Sequence, residues 1–171
     1  MSTNQEHAAI KLVWYASYGS NLKRKRFMCY IKGGTPEGSA RKCDGCFRDR
    51  SDPIESRPIS LNFELYFAGQ SKTWGNGGVA FIRDSSERGL TLGRMYLITD
   101  EQFNDVVMQG NDKTPDGSRF VPAFNQLVSQ SQSNLSDKLW YGKLLNIGSE
   151  GGCPSSKRSN ERWRIFVFAN G

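Results

Sequence analysis

The feature that most constrains this chain is the run KLVWYASY at residues 11–18, which ends on Gly19-Ser20-Asn21 and meets four consecutive cations, Lys23 to Arg26. Eight residues dense in apolar, β-branched and aromatic side chains are too unbroken for a strand with one wet face. They predict a central strand covered on both sides. A Gly-Ser-Asn turn after such a strand leads into a helix over LKRKRFMCYIK, closing on Gly33-Gly34. Strand, small-residue turn and helix together form the backbone of an anion cradle. Glycine permits close approach of a ligand, Ser20 and Asn21 supply polar side chains, and the first helical N–H groups point outward. The same spacing equally describes an ordinary strand-to-helix turn with Asn21 as N-cap, and KRKR equally describes a solvated helix face.

Downstream the elements alternate. Residues 35–58, rich in Gly, Pro, Ser, Asp and Arg, predict a long excursion with little regular structure. ISLNFELYFAG (59–69) alternates Leu61, Phe63, Leu65 and Phe67 on one face and predicts a strand; further strands are expected at 79–82 and 91–99. Thr99-Asp-Glu-Gln102 is a capping box that opens a helix with Phe103, Val106 and Val107 on its apolar face, ending near Gly110-Asn111. A second helix over 121–131 and strands over 139–148 and 162–170 complete the pattern. Five or six strands with two or three helices make an α+β protein with a curved or closed sheet.

The chain has 171 residues, so a single domain over 11–171 behind a flexible N-terminus (1–10) is expected. No window approaches the roughly 18 apolar residues of a membrane span, and the first ten residues lack the form of a secretory signal. The expectation is a soluble, cytoplasmic protein. Its 10 Phe, 6 Tyr and 4 Trp argue against disorder, and a net charge of +6 favours anionic partners. Cys43 and Cys46 have metal-ligand spacing, but Cys153 stands alone and His7 is the only histidine. The pair is therefore read as reduced thiols in a loop, with no metal or cofactor expected.

VWYASYGSNL resembles the signature loop of the γ-glutamylcyclotransferase-like superfamily. Further likenesses follow in order: GNGGVAFI (75–82), LGRMYLITDEQFNDVV (92–107) and WYGKLLNIG (140–148). The resemblance implies a small mixed β-barrel with packed helices. It also implies a pocket in which Tyr18, Gly19, Ser20, Asn21 and Leu22 hold the amino-acid end of a γ-glutamyl group. In such enzymes a glutamate near the end of the helix after the Gly-x-x-Tyr strand passes a proton from the substrate's α-amine. That amine attacks the γ-carbonyl, and 5-oxoproline and a free amine are released.

Here Gln109 and Gly110 stand where that glutamate is expected, and neither exchanges a proton near neutral pH. Glu101 lies at the other end of the helix, about 13 Å away at 1.5 Å per residue. Asp112 is the nearest substitute, and its place beyond the helix end predicts misplacement. The sequence thus points to a derivative that binds, and can sequester, a small anionic ligand of γ-glutamyl, amino-acid-like or nucleotide-like type. Lys23, Arg24 and Arg26 are expected to form a collar around it. An active γ-glutamyl cyclotransferase is the alternative. A nucleic-acid-binding basic domain is the least favoured reading, since no such motif is present.

Overall fold

The computed structural model describes residues 10–84, 89–152 and 160–170. His7, Cys153 and all but the last residue of the expected flexible N-terminus lie outside them. The described residues form an α+β fold around a curled mixed sheet. Its elements are β1 (Leu12–Ser17), α1 (Arg24–Lys32), β2 (Glu55–Leu61), β3 (Glu64–Ser71), β4 (Gly77–Arg83) and β5 (Thr91–Thr99). They continue with α2 (Asp100–Gly110), α3 (Phe124–Ser129), β6 (Gln132–Asn134), β7 (Lys143–Gly151) and β8 (Arg162–Ala169). No described helix is long and apolar enough to cross a membrane.

Six strands run in the order β2-β5-β1-β8-β7-β6, and β3 and β4 form a separate pair. β1 sits inside the sheet, antiparallel to β5 and parallel to β8. Its six residues are all buried because the two faces feed different cores. Val13 and Tyr15 point into a cluster with Phe27 and Ile31 of α1 and Phe103, Val106 and Val107 of α2. Leu12, Trp14 and Ala16 point into a second cluster with Leu61, Met95, Leu97 and Val167. The sheet curls around this second cluster until distant strands meet: Arg57 Nη2 on β2 donates to Gly151 O on β7 at 2.6 Å.

The capping box forms, with Thr99 Oγ1 accepting from Gln102 N at 3.2 Å and Gln102 Oε1 accepting from Thr99 N at 3.1 Å. Three sequence expectations need correction. The single strand expected over 59–69 breaks at Asn62-Phe63, where the chain leaves the six-stranded sheet and pairs only with β4. Leu65 and Phe67, expected on one face with Leu61 and Phe63, are therefore separated from Leu61 and stand 37% and 68% exposed on an outer strand. The helix expected over 121–131 contracts to α3. Finally, the strand expected from 139 begins at Lys143, because Leu139 N is tied into a turn with Ser136 O.

The excursion after α1 has no regular element before β2, yet it is anchored at many points. Cys46 N donates to Ile31 O at 2.9 Å and Phe47 N to Asp105 Oδ2 at 2.8 Å. Arg50 donates to the carbonyls of Cys46, Lys32 and Asp44. Gly45 makes the closest crossing: at φ 82° an added Cβ would lie 2.6 Å from Gly33 N, so only glycine fits. The excursion is thereby held over the C-terminal end of α1, where it forms one wall of a cavity.

Candidate ligand-binding site

β1 delivers the Tyr18–Asn21 loop to a cavity of about 130 Å³, bounded by the start of α1, the excursion, the end of α2 and Trp140-Tyr141. A 3₁₀ turn over Ser20–Leu22 precedes α1, with Leu22 N and Lys23 N bonded back to Gly19 O and Ser20 O. Gly19 packs against β4, where an added Cβ would meet Ala80 Cβ at 3.4 Å. Asn21 does not cap α1. The N-cap is Lys23, which makes no side-chain cap, and Asn21 turns inward instead.

Asn21 is fixed at two points. Its carbonyl accepts from Tyr96 Oη at 2.7 Å, and its Nδ2 donates to Tyr15 Oη at 3.2 Å. Its Oδ1 is buried without a hydrogen-bond partner among the described residues. Leaving a buried acceptor unmade costs about 1–3 kcal/mol. Asn21 thus stands in the cavity lining with one amide oxygen unmade, an exception to the rule that buried polar groups are hydrogen-bonded.

Four tyrosines line the cavity, and burial pushes the hydroxyls of Tyr15, Tyr18, Tyr30 and Tyr141 above the usual phenol range. They remain neutral hydrogen-bonding groups. Tyr18 Oη is occupied, donating to Phe168 O at 2.8 Å. Burial likewise pushes the Cys43 thiol up, an effect that neighbouring Arg26 only partly offsets, so Cys43 faces the cavity as a thiol. Cys46 is buried, its Sγ against Tyr30 O at 3.5 Å. Among the described residues no group of three His, Cys, Asp or Glu side chains is placed to hold a metal.

The expected cationic collar is dispersed. Arg24 faces solvent and pairs with Asp52 at 2.8 Å, while Lys23 and Leu22 lie outside the cavity lining. Arg48 reaches toward Glu101 at 3.8 Å, and Arg57 lies on β2 beside Glu55. Of Lys23, Arg24 and Arg26, only Arg26 lines the cavity, joined there by Arg41, Lys42 and Lys113 against the carboxylates of Asp44 and Asp112. The distinction follows helix phase. Arg26 shares an inward stripe with Phe27, Tyr30 and Ile31, whereas Arg24 is turned outward. KRKR read as one block conceals this.

At the end of α2 the two residues at the expected acid position differ. Gln109 is a clasp: Nε2 donates to Tyr30 O at 2.9 Å and Asp105 O at 3.3 Å, and Oε1 accepts from Gly45 N at 3.1 Å. Gly110 is the open position, where an added Cβ would touch the rings of Phe168 and Tyr141 at 3.4–3.8 Å, ordinary contact distances. Asp112, expected to be misplaced, reaches the cavity because the chain turns through φ 57° there. Both carboxylate oxygens are engaged, one by Arg41 Nη1 at 2.8 Å and the other by Trp140 Nε1 at 3.0 Å. Tyr30, Trp74 and Trp140 also line the cavity, with no local signal of that role in the sequence. The only trace there of Tyr30 is its place four residues after Arg26.

The described residues form an α+β fold with a tyrosine-lined cavity whose walls carry Arg26, Arg41, Lys42 and Lys113 beside Asp44 and Asp112. Over 148 residues, 83% of its length, the chain is 40% identical to an Arabidopsis thaliana protein named histone deacetylase 5. The chain spans only 22% of that relative's length. No family model matches the chain, and no solved structure matches it.

Proposed function

We propose that this chain is a small-molecule-binding domain of the γ-glutamylcyclotransferase-like fold. It holds an anionic ligand of γ-glutamyl, amino-acid-like or nucleotide-like type in the Tyr18–Asn21 pocket without turning it over. The observation that carries this reading is the inward Asn21, whose buried Oδ1 lacks a partner at the floor of a cavity with four cations against two carboxylates. Retention without turnover is supported by the end of α2. Gln109 is committed to backbone groups, Gly110 carries no side chain, and Asp112 is held by Arg41 and Trp140. The likeness to about a fifth of a protein named as a deacetylase fits a binding segment joined to a separate enzyme. We carry no deacetylase activity to this chain.

Mass spectrometry of molecules released on denaturing the purified protein, followed by calorimetry with γ-glutamyl compounds and nucleotides, tests the reading. Binding of one class is expected, and absence of heat with both sinks it. An active cyclotransferase is the second reading, favoured by the presence of Asp112 in the cavity. Release of 5-oxoproline by the wild type, abolished in Asp112→Ala, would establish it in place of ours.

A further inference from the structure

Among the described residues, Arg26 is the one cavity cation that is nine-tenths buried, with 9% of its surface exposed. Trp74 lies 4.4 Å from its guanidinium carbon and Tyr30 lies 5.2 Å away, so aromatic rings flank the group. Its polar contacts are both neutral and long: Nε donates to Ser20 Oγ at 3.3 Å and Nη1 to Cys43 Sγ at 3.6 Å. No described carboxylate forms an ion pair with it. The two acids of the cavity are engaged elsewhere, Asp112 by Arg41 and Trp140, and Asp44 by Thr114 Oγ1 at 3.1 Å. A charge this buried is costly unless it is paired. Nε is used and rings flank the guanidinium, which leaves the edge formed by Nη2 and the second Nη1 proton.

We infer that Arg26 is the specificity-determining residue of this cavity, receiving a ligand carboxylate end-on through its terminal nitrogens while Trp74 and Tyr30 hold the guanidinium in plane. This deepens the ligand-binding reading above and rests on it. Two parallel N–H donors match the two oxygens of a carboxylate, a geometry that lysine lacks. A phosphate group would call on further donors around its three oxygens. Arg41 is already held by Asp112, and Lys42 and Lys113 are the lining cations that remain. Asn21 lines the same cavity and its Oδ1 is unpartnered, so the ligand class that answers both residues is an amino-carboxylate, with its N–H on Asn21 and its carboxylate on Arg26.

The test uses three probes on the intact chain: L-glutamine, its α-carboxamide and inorganic phosphate, with affinities from calorimetry. Glutamine is expected to bind, and the carboxamide to bind roughly ten- to hundredfold more weakly, the scale of one charge-assisted pair. Arg26→Lys should lose as much affinity for glutamine as Arg26→Gln, because the fork matters and not charge alone. Because a variant could unfold, the indole N–H signal of Trp74 in the unmodified protein gives an independent reading. It should shift with glutamine, and with the carboxamide only at roughly ten- to hundredfold higher concentration. Equal affinity for glutamine and the carboxamide, or full binding by Arg26→Lys, overturns the inference while leaving the binding reading intact. Phosphate binding stronger than glutamine also overturns it. No binding of any probe or nucleotide by the wild type overturns both.

Discussion

Among the described residues two arginines lie over indole rings, and they end differently. Arg57 stands 4.9 Å from the ring of Trp14, and Arg26 stands 4.4 Å from that of Trp74. Around Arg57 the protein supplies everything the guanidinium needs: Glu55 Oε1 at 2.5 Å, Glu150 Oε1 at 3.6 Å and the Gly151 carbonyl at 2.6 Å. Around Arg26 the described residues supply a hydroxyl, a thiol and two rings, but no anion. The same cation–aromatic frame is closed in one place and left open in the other. The closed copy ties β2 to β7 and belongs to the fold; the open one presents its charge to a cavity.

The rings beneath the two arginines should separate most. Trp14 is fully buried in the core inside the curl, whereas Trp74 is only half-buried in a 3₁₀ turn. Trp14→Ala should destabilise by about 3–5 kcal/mol, as large aromatic deletions in cores do. Trp74→Ala should cost about 1 kcal/mol or less while weakening ligand binding. Urea denaturation of the two variants checks this, and equal losses would mean that both rings are structural. The arginine that closes the sheet comes next. Arg57→Met removes the donor to the Gly151 carbonyl and the cation beside Glu55 and Glu150, so a loss of about 1–3 kcal/mol is expected in the same measurement.

Neighbouring neutral residues repeat the contrast at the end of α2, where Gln109 is closed and Gly110 open. Gln109→Glu replaces an N–H₂ group that serves two carbonyls, Tyr30 O and Asp105 O, by an oxygen that repels them. A protonated glutamic acid can still donate to one of them. The carboxyl pKa in the folded variant is thereby raised above its unfolded value, and the variant's stability is greatest in acid. It should fall as pH rises through the folded pKa, with a loss of about 1–2 kcal/mol at neutral pH. Denaturation midpoints of variant and wild type across pH 4–8 would show the two curves converging in acid; parallel curves would show that Gln109 is no clasp. Gly110→Glu should fold, since its Cβ meets only ring edges at ordinary contact distance.

What the sequence disclosed and what it hid divide along the same line. β1 was legible because a strand covered on both faces must be apolar at every position, and α2 because its capping box is local chemistry. The phase of β3 was misleading. Leu65 and Phe67 alternate as a buried face would, yet pairing with β4 alone places them outside, and pairing is not a local property. The cavity was hidden for a related reason. Its walls come from segments far apart in the chain, and Asp112 enters only through a left-handed turn that a non-glycine residue rarely adopts. The loop at Tyr18–Asn21 announced a site, but only helix phase separates Arg26 from Arg24.

The finest test of the comparison is the smallest effect. Arg26→Met keeps a long side chain against Trp74 and removes a buried charge that has no counterion among the described residues. Exchanging such a group for an apolar one is often neutral or favourable, so the ligand-free variant should match the wild type or exceed it by up to about 1 kcal/mol. Arg57→Met, by contrast, should be destabilising. The sign then reverses with ligand. At 100 times the wild-type dissociation constant, L-glutamine should stabilise the wild type by about 2.7 kcal/mol and a variant that binds roughly ten- to hundredfold more weakly by only about 0.4–1.4 kcal/mol. Thermal unfolding of both proteins with and without glutamine reads this crossing directly. A ligand-free loss from Arg26→Met as large as that from Arg57→Met would mean that Arg26, too, is closed by the fold, and that its charge holds the loop rather than awaiting an anion.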